Sequence, residues 1–107
     1  MRRYGMVIGA RPEKIDEYKA LHADPWPGVL EKLREHHVAN YSIFHHADLL
    51  FGYFEYHGDD FAADMAAISK DPLTQQWWQA TDPCQSRLPT AGDSEWWASM
   101  EQIFFML

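Results

Sequence analysis

The chain has 107 residues, enough for one domain spanning residues 1–107 and too few for a second. A hydrophobic content of 47% and an aromatic content of 15% exclude a disordered polymer and leave aromatic rings beyond the needs of one small core. The formal net charge of −7 argues against a nucleic-acid partner, which would require clustered Lys and Arg.

The cysteine content and the first residues bear on location. Cys84 is the only cysteine, so no internal disulfide can form and a reducing cytoplasm is the simplest setting. Arg2-Arg3 is not followed by the long apolar segment of an export signal, and no stretch approaches membrane-spanning length. We therefore expect a cytoplasmic protein with no membrane partner.

The first half of the chain predicts a strand, two helices and a β-hairpin. Residues 4–8 read as a strand broken by Gly9, and Pro12 suits the first turn of a helix. The sequence around Trp26 breaks that helix, and a second helix runs to about His37. Residues 38–46 and 49–57 then predict two strands joined by a tight turn.

The second half predicts two helices, a long loop and a final strand. Asp60 caps a helix in which Phe61, Met65 and Ile68 share one face. Asp71 caps a short second helix. Residues 82–94 form a long loop, and the apolar residues 100–107 read as the last strand.

The order β-α-β-β-α-β is that of a ferredoxin-like α+β unit, with helices on one face of an antiparallel sheet. The other face should be polar, yet the third strand is apolar on both sides, with Phe51 and Tyr53 on one and Phe54 on the other. A second copy is the simplest cover, so we expect a homodimer whose sheets pack face to face. The alternative is that these aromatics fill a pocket on the open face, and the two are compatible.

Two aromatic pairs are candidates for a site. Tyr18 and His22 are four residues apart on a helix, which puts a phenol and an imidazole within reach of one ligand. Such a pair is more often packing than chemistry. Trp77 and Trp78 are adjacent on a helix and point about 100° apart, so one is expected to pack inward while the other lines a rim. The alternative places both in the core.

No metal or cofactor motif is present. The six histidines include the adjacent pairs His36-His37 and His45-His46, which lack the i,i+4 spacing of a metal helix, and Cys84 has no C-x-x-C partner. The sequence also lacks a G-x-S-x-G elbow, a P-loop and a G-x-G-x-x-G fingerprint. We therefore expect no metal, and hydrolase, NTPase and dinucleotide-binding functions have no motif support.

Taken together, these residues resemble the L-rhamnose mutarotase family over nearly the whole chain. The resemblance rests on Glu17-Tyr18 with His22 and Trp26-Pro27, on Asn40-Tyr41, on Gln76-Trp77-Trp78, and on an aromatic end beginning near Glu101. It implies a cofactor-free isomerase that interconverts the anomers of a 6-deoxy-L-sugar, with a ferredoxin-like protomer in a dimeric α/β barrel. It further implies His22 as the catalytic acid and sugar contacts from Tyr18, Tyr41, Trp77 and Trp78.

Two questions stay open at this stage. The family usually has an acidic residue after Trp-Pro, where this chain has Gly28, and some relatives serve L-fucose, so the sugar is L-rhamnose or L-fucose. Dimeric α/β barrels also include cofactor-free monooxygenases, haem-degrading enzymes and ligand-binding dimers, which are the alternative functions.

Overall fold

Four α-helices lie against one antiparallel sheet in the computed structural model, which describes residues 1–107. The strands are β1 (Arg2–Ala10), β2 (Val38–His46), β3 (Leu49–Tyr56), β4 (Gln85–Ser86) and β5 (Ala98–Met100). The α-helices are α1 (Ile15–Ala23), α2 (Pro27–Glu35), α3 (Phe61–Lys70) and α4 (Pro72–Thr81), with 3-10 turns at Pro12–Lys14 and Asp82–Cys84.

The sheet has the order β2-β3-β1, and β4 and β5 share the fourth position beside β1. The short β4 pairs with Gly9 and Ala10, whereas β5 pairs with the stretch from Gly5 to Val7 of the same strand. This arrangement confirms the ferredoxin-like α+β fold, with its last strand divided in two.

Helices α3 and α4 begin at the residues that the sequence indicates. The Asp60 carboxylate accepts a hydrogen bond of 3.1 Å from the Ala63 amide, and Asp71 accepts one of 3.0 Å from the Thr74 amide. Hydrogen bonds from Thr74 hold the pKa of Asp71 below its usual value. None of the helices is both long enough and apolar enough to cross a membrane.

The core lies between the helices and one face of the sheet. Along β3 the even-numbered residues are buried and the odd-numbered ones are partly exposed, which is the alternation of a strand covered on one face. One cluster is built on Ile8 and Leu50, and a second contains Val38, Phe54 and Ile68. The helices therefore pack on the face that carries Leu50 and Phe54.

The predicted final strand over residues 100–107 is wrong for most of its length. The strand is Ala98–Met100, and residues 101–107 pair with no other strand. Met100 already lies opposite Gly5, so only the start of β1 remains for the tail to pair with. The tail leaves the sheet with Ile103 88% exposed, and the Arg3 guanidinium lies 3.6 Å from the centre of the Phe105 ring.

Three smaller expectations also need correction. Gly9 does not end the first strand, which continues to Ala10 because both residues pair with β4. The second helix ends at Glu35 and not near His37, because His37 has a left-handed φ of 69°. The segment 82–94 is not all loop, since it contains the turn Asp82–Cys84 and strand β4. A strand of two residues has no periodic pattern by which a sequence could reveal it.

Candidate active site

A cavity of about 690 Å³ lies between the helices and the covered face of the sheet. Of its 25 lining residues 17 are hydrophobic, so its wall is mainly apolar with a few polar groups, as in most small-molecule sites. The five residues singled out from the sequence all line it: Tyr18, His22, Tyr41, Trp77 and Trp78.

Helix α1 brings the Tyr18 and His22 rings together. They lie one turn apart with ring centroids 4.3 Å from each other, so the predicted shared face is confirmed. His22 Nδ1 is 2.8 Å from the Tyr18 carbonyl oxygen. A carbonyl oxygen only accepts, so Nδ1 carries a hydrogen, and Nε2 is the atom left to take or give a proton.

Helix α4 supplies the two tryptophans, and their environments differ as expected for adjacent helical residues. Trp77 is only 8% exposed, and its ring meets His22 and Trp26 edge-on with centroid separations of 5.2 Å in both cases. Trp78 is 39% exposed at the rim. Trp77 thus holds the His22 ring in place, while Trp78 presents an accessible indole.

A β-bulge turns Tyr41 toward the cavity. The register between β2 and β3 shifts between Ala39 and Ser42, and Asn40 within that shift has a left-handed φ of 49°. The Tyr41 ring lies 5.5 Å from that of Phe54, on the covered face. Although the residue is 40% exposed, burial of its hydroxyl raises the pKa of Tyr41, with a smaller contribution from Tyr18.

Gln85 and Trp96 complete a hydrogen-bonded chain that the sequence did not reveal. Gln85 Nε2 donates to the Tyr18 hydroxyl at 3.1 Å, and Trp96 Nε1 donates to Gln85 Oε1 at 2.6 Å. Both residues line the cavity. Burial raises the pKa of Tyr18 to about 12, and the hydrogen bond from Gln85 opposes this rise. Gln85 lies 67 positions from Tyr18 in a segment without periodicity, so no local signal connects them.

A second histidine also lines the cavity. His45 is on β2 with its Nε2 2.6 Å from the Ala47 carbonyl oxygen, so Nε2 carries the hydrogen and Nδ1 is free to accept. His46, the next residue, does not line the cavity, in keeping with the alternation of a strand. Of these two adjacent histidines, His45 is therefore the one beside the cavity.

The polar groups of the cavity suit a neutral ligand with several hydroxyls. They include imidazoles, phenols, threonine hydroxyls, an amide and indoles, which donate and accept hydrogen bonds without requiring a charged partner. The two charged residues of the lining, Lys19 and Asp82, have opposite signs and add no net charge. No group of three or more His, Cys, Asp or Glu side chains is placed to share a metal ion. The arrangement offers aromatic surface for binding and His22 Nε2 for proton transfer.

Comparisons with known proteins agree with this geometry. A model of the L-rhamnose mutarotase family matches residues 3–106. The L-rhamnose mutarotase of Oceanobacillus iheyensis is 32% identical over 108 residues, with 99% of each chain covered. The solved L-rhamnose mutarotase of Formosa agariphila superposes with a TM-score of 0.79 at 21% identity, covering 100% of both chains. The tetracenomycin F2 cyclase of Streptomyces glaucescens shares the fold, with a TM-score of 0.72 at 21% identity over 100% of this chain and 98% of its own. From the match over almost its entire length, the chain belongs to the L-rhamnose mutarotase family.

Proposed function

We propose that this protein interconverts the α and β anomers of L-rhamnose. The observation that carries the proposal is the His22 imidazole, held in one tautomer on the wall of an aromatic cavity. The relative from Oceanobacillus iheyensis is named for the same activity. The monooxygenase and ligand-binding alternatives have no comparable support in the family match.

The proposed chemistry is ring opening followed by closure on the other face of C1. Opening moves one proton onto the ring oxygen and removes one from the anomeric hydroxyl, which breaks the bond from C1 to the ring oxygen and leaves an aldehyde. Rotation about C1–C2 and the reverse transfers give the other anomer. We assign His22 Nε2 to take the proton from the anomeric hydroxyl and then to give it to the ring oxygen, with the reverse order on closure, because Nδ1 is occupied by the Tyr18 carbonyl.

We propose that the remaining predicted residues contact parts of the sugar other than C1. Trp78 offers an accessible indole on which the C–H surface of a pyranose can stack, and Trp77 backs the His22 ring. A phenol with the ordinary tyrosine pKa of about 10 is protonated at neutral pH, and burial raises the pKa of Tyr18 and Tyr41 further, so each can donate to a sugar oxygen. Binding through these groups leaves C1 free to rotate.

We propose further that the protein acts as a homodimer. The sheet face away from the helices carries Phe51 and Tyr53, and Phe44, which pairs with Phe51, is 64% exposed. The exposed apolar tail of residues 103–107 adds to this surface. Patches of this kind are uncommon on monomers, and a second copy meeting the same face across a two-fold axis would cover it.

We also infer a cytoplasmic location from the free, buried thiol of Cys84. Fractionation of the source cells, with the protein traced by antibody, tests this. Recovery of the protein in an extracytoplasmic fraction would contradict the inference.

Saturation-transfer NMR between the two anomeric protons tests the proposed reaction. Exchange in L-rhamnose should accelerate in proportion to protein concentration, beyond the rate in buffer alone. L-fucose and other deoxy-sugars serve as the comparison panel, and faster exchange in L-fucose would assign the sugar differently while keeping the chemistry. If no sugar in the panel exchanges faster with the protein, the proposed function is wrong.

A further inference from the structure

We propose that Gln85 and Trp96 are positioning residues that fix the direction of the Tyr18 hydroxyl, so that its hydrogen is donated to the bound sugar. The inference rests on the proposed function for the identity of the ligand. It concerns residues far apart in the chain that meet at one wall of the cavity.

Trp96 fixes the orientation of the Gln85 amide. An indole Nε1–H can donate and cannot accept, so the oxygen of the Gln85 amide must face Trp96, at 2.6 Å. The amide nitrogen therefore faces Tyr18, at 3.1 Å from the hydroxyl oxygen. Trp96 thus removes the freedom of the Gln85 amide to turn over.

The direction of the Tyr18 hydroxyl follows from this. Because the amide nitrogen of Gln85 only donates, the Tyr18 oxygen accepts, and its own hydrogen is left for another acceptor. The hydroxyl makes no other hydrogen bond within the protein, and Tyr18 lines the cavity beside His22. We assign that acceptor to an oxygen of the bound sugar.

The backbone around both residues is held in place. Gln85 pairs with Ala10 in the sheet, and its carbonyl accepts from Arg11 Nε at 3.1 Å. The loop that leads to Trp96 is held by Arg87, which donates to the Glu95 carbonyl at 2.7 Å and to the Ala91 carbonyl at 3.1 Å. Tyr18 and Gln85 are each only 4% exposed, which shields their hydrogen bond from bulk water.

The substitution Gln85→Glu reverses the proposed direction. At neutral pH the carboxylate accepts from Trp96 and from Tyr18, and the Tyr18 hydrogen turns away from the sugar. We expect KM for L-rhamnose to rise about tenfold or more, since hydrogen bonds to a charged acceptor are about twice as strong as neutral ones. Lowering the pH toward the usual glutamic acid pKa of about 4.3 protonates the new carboxylate, whose O–H can then donate to the Tyr18 oxygen. The affinity relative to wild type should then recover.

The substitution Gln85→Met is the matched control, because it keeps the size of the side chain and removes both hydrogen bonds. Its Tyr18 hydroxyl is free to rotate toward the sugar, so we expect a smaller rise in KM, about threefold to tenfold. The KM of Gln85→Met divided by that of wild type should not change with pH. The proposal fails if Gln85→Glu binds like wild type at neutral pH, or if its ratio to wild type is as flat with pH as that of Gln85→Met.

The substitution Trp96→Phe tests the same chain if Gln85→Glu does not fold. It keeps an aromatic face and frees the Gln85 amide to turn over, so affinity should fall about threefold or more. Trp97→Phe removes an indole N–H from a second ring that also lines the cavity but is not bonded to Gln85, and it should cost less. Equal losses in the two variants would overturn the proposal.

A measurement without sugar separates this inference from the proposed function. In ¹⁵N-labelled protein, the indole signal lost in Trp96→Phe identifies Trp96, and the same signal should move in Gln85→Met. An unmoved signal would refute the hydrogen-bonded chain even if the enzyme is active. A moved signal in a protein that exchanges no anomers would leave the chain intact and refute the function.

Discussion

His22→Ala is the substitution that separates chemistry from packing at this site. It removes the proposed acid–base, so anomer exchange should slow by at least about a hundredfold, the usual contribution of such a group. A hundredfold corresponds to about 2.7 kcal/mol of transition-state stabilisation. Saturation-transfer NMR on L-rhamnose at matched protein concentration measures the effect.

The same substitution also has a structural cost that can be estimated from the contacts. His22 loses its hydrogen bond to the Tyr18 carbonyl, worth about 1 kcal/mol, and its ring contacts with Tyr18 and Trp77. The free energy of unfolding should fall by about 1–2 kcal/mol, which leaves the protein folded at room temperature. Urea unfolding of the variant measures this loss.

The chain offers a closely matched control for that cost. His36 Nδ1 lies 2.9 Å from the Lys32 carbonyl oxygen at the end of α2, so it makes the same kind of hydrogen bond, to the carbonyl four residues earlier. His36 does not line the cavity. His36→Ala should lower stability to a similar extent and leave the exchange rate close to wild type. If the two variants lose activity equally, or if His22→Ala exchanges as fast as wild type, the assignment of His22 is refuted.

Three further predictions follow from burial, capping and the open sheet face. Trp77→Ala should destabilise the fold by about 3–5 kcal/mol. Trp78→Ala should keep the wild-type melting temperature and weaken sugar binding by about 1–3 kcal/mol in fluorescence titrations. Equal melting temperatures for the two variants would contradict this prediction. Asp71→Ala should lower the melting temperature at neutral pH. Because the pKa of Asp71 is lowered in the folded state, the higher melting temperature of wild type should be lost as the pH falls through that pKa. A difference in melting temperature that persists in acid would count against the cap. Wild type should scatter light as a dimer at micromolar concentration and Phe44→Asp as a monomer, so a monomeric wild type would refute the proposed interface.

The elements of the fold that could be predicted are those with local signals. The carboxylates of Asp60 and Asp71 sit at helix starts because the first amides of a helix need acceptors, and both caps are present. The shared face of Tyr18 and His22 follows from the helical repeat alone. In each case the interacting residues are within four positions of each other, so the sequence contains the whole interaction.

The parts that could not be predicted depend on contacts distant in sequence. Apolar composition made residues 100–107 resemble a strand, but a strand also needs an unpaired edge, and β1 has little left beyond Gly5. The bulge that turns Tyr41 inward is a property of the pairing of β2 with β3, so the sequence placed Tyr41 at the sugar only through the family resemblance. Gln85 gave no signal at all, because its partners lie 67 and 11 positions away.

The division of the last strand explains how those distant residues reach the cavity. A continuous fourth strand would place successive side chains on alternate faces of the sheet and bring no loop back over the covered face. Here the chain pairs with Gly9 and Ala10, leaves the edge of β1, and returns to pair at Val7. The segment between the two pairings carries Trp96 back to Gln85, the first residue of β4. The interrupted sheet edge therefore allows a loop to form one wall of the site. Proteins with this fold can differ in the ligand they bind through the residues of this loop more than through the strands.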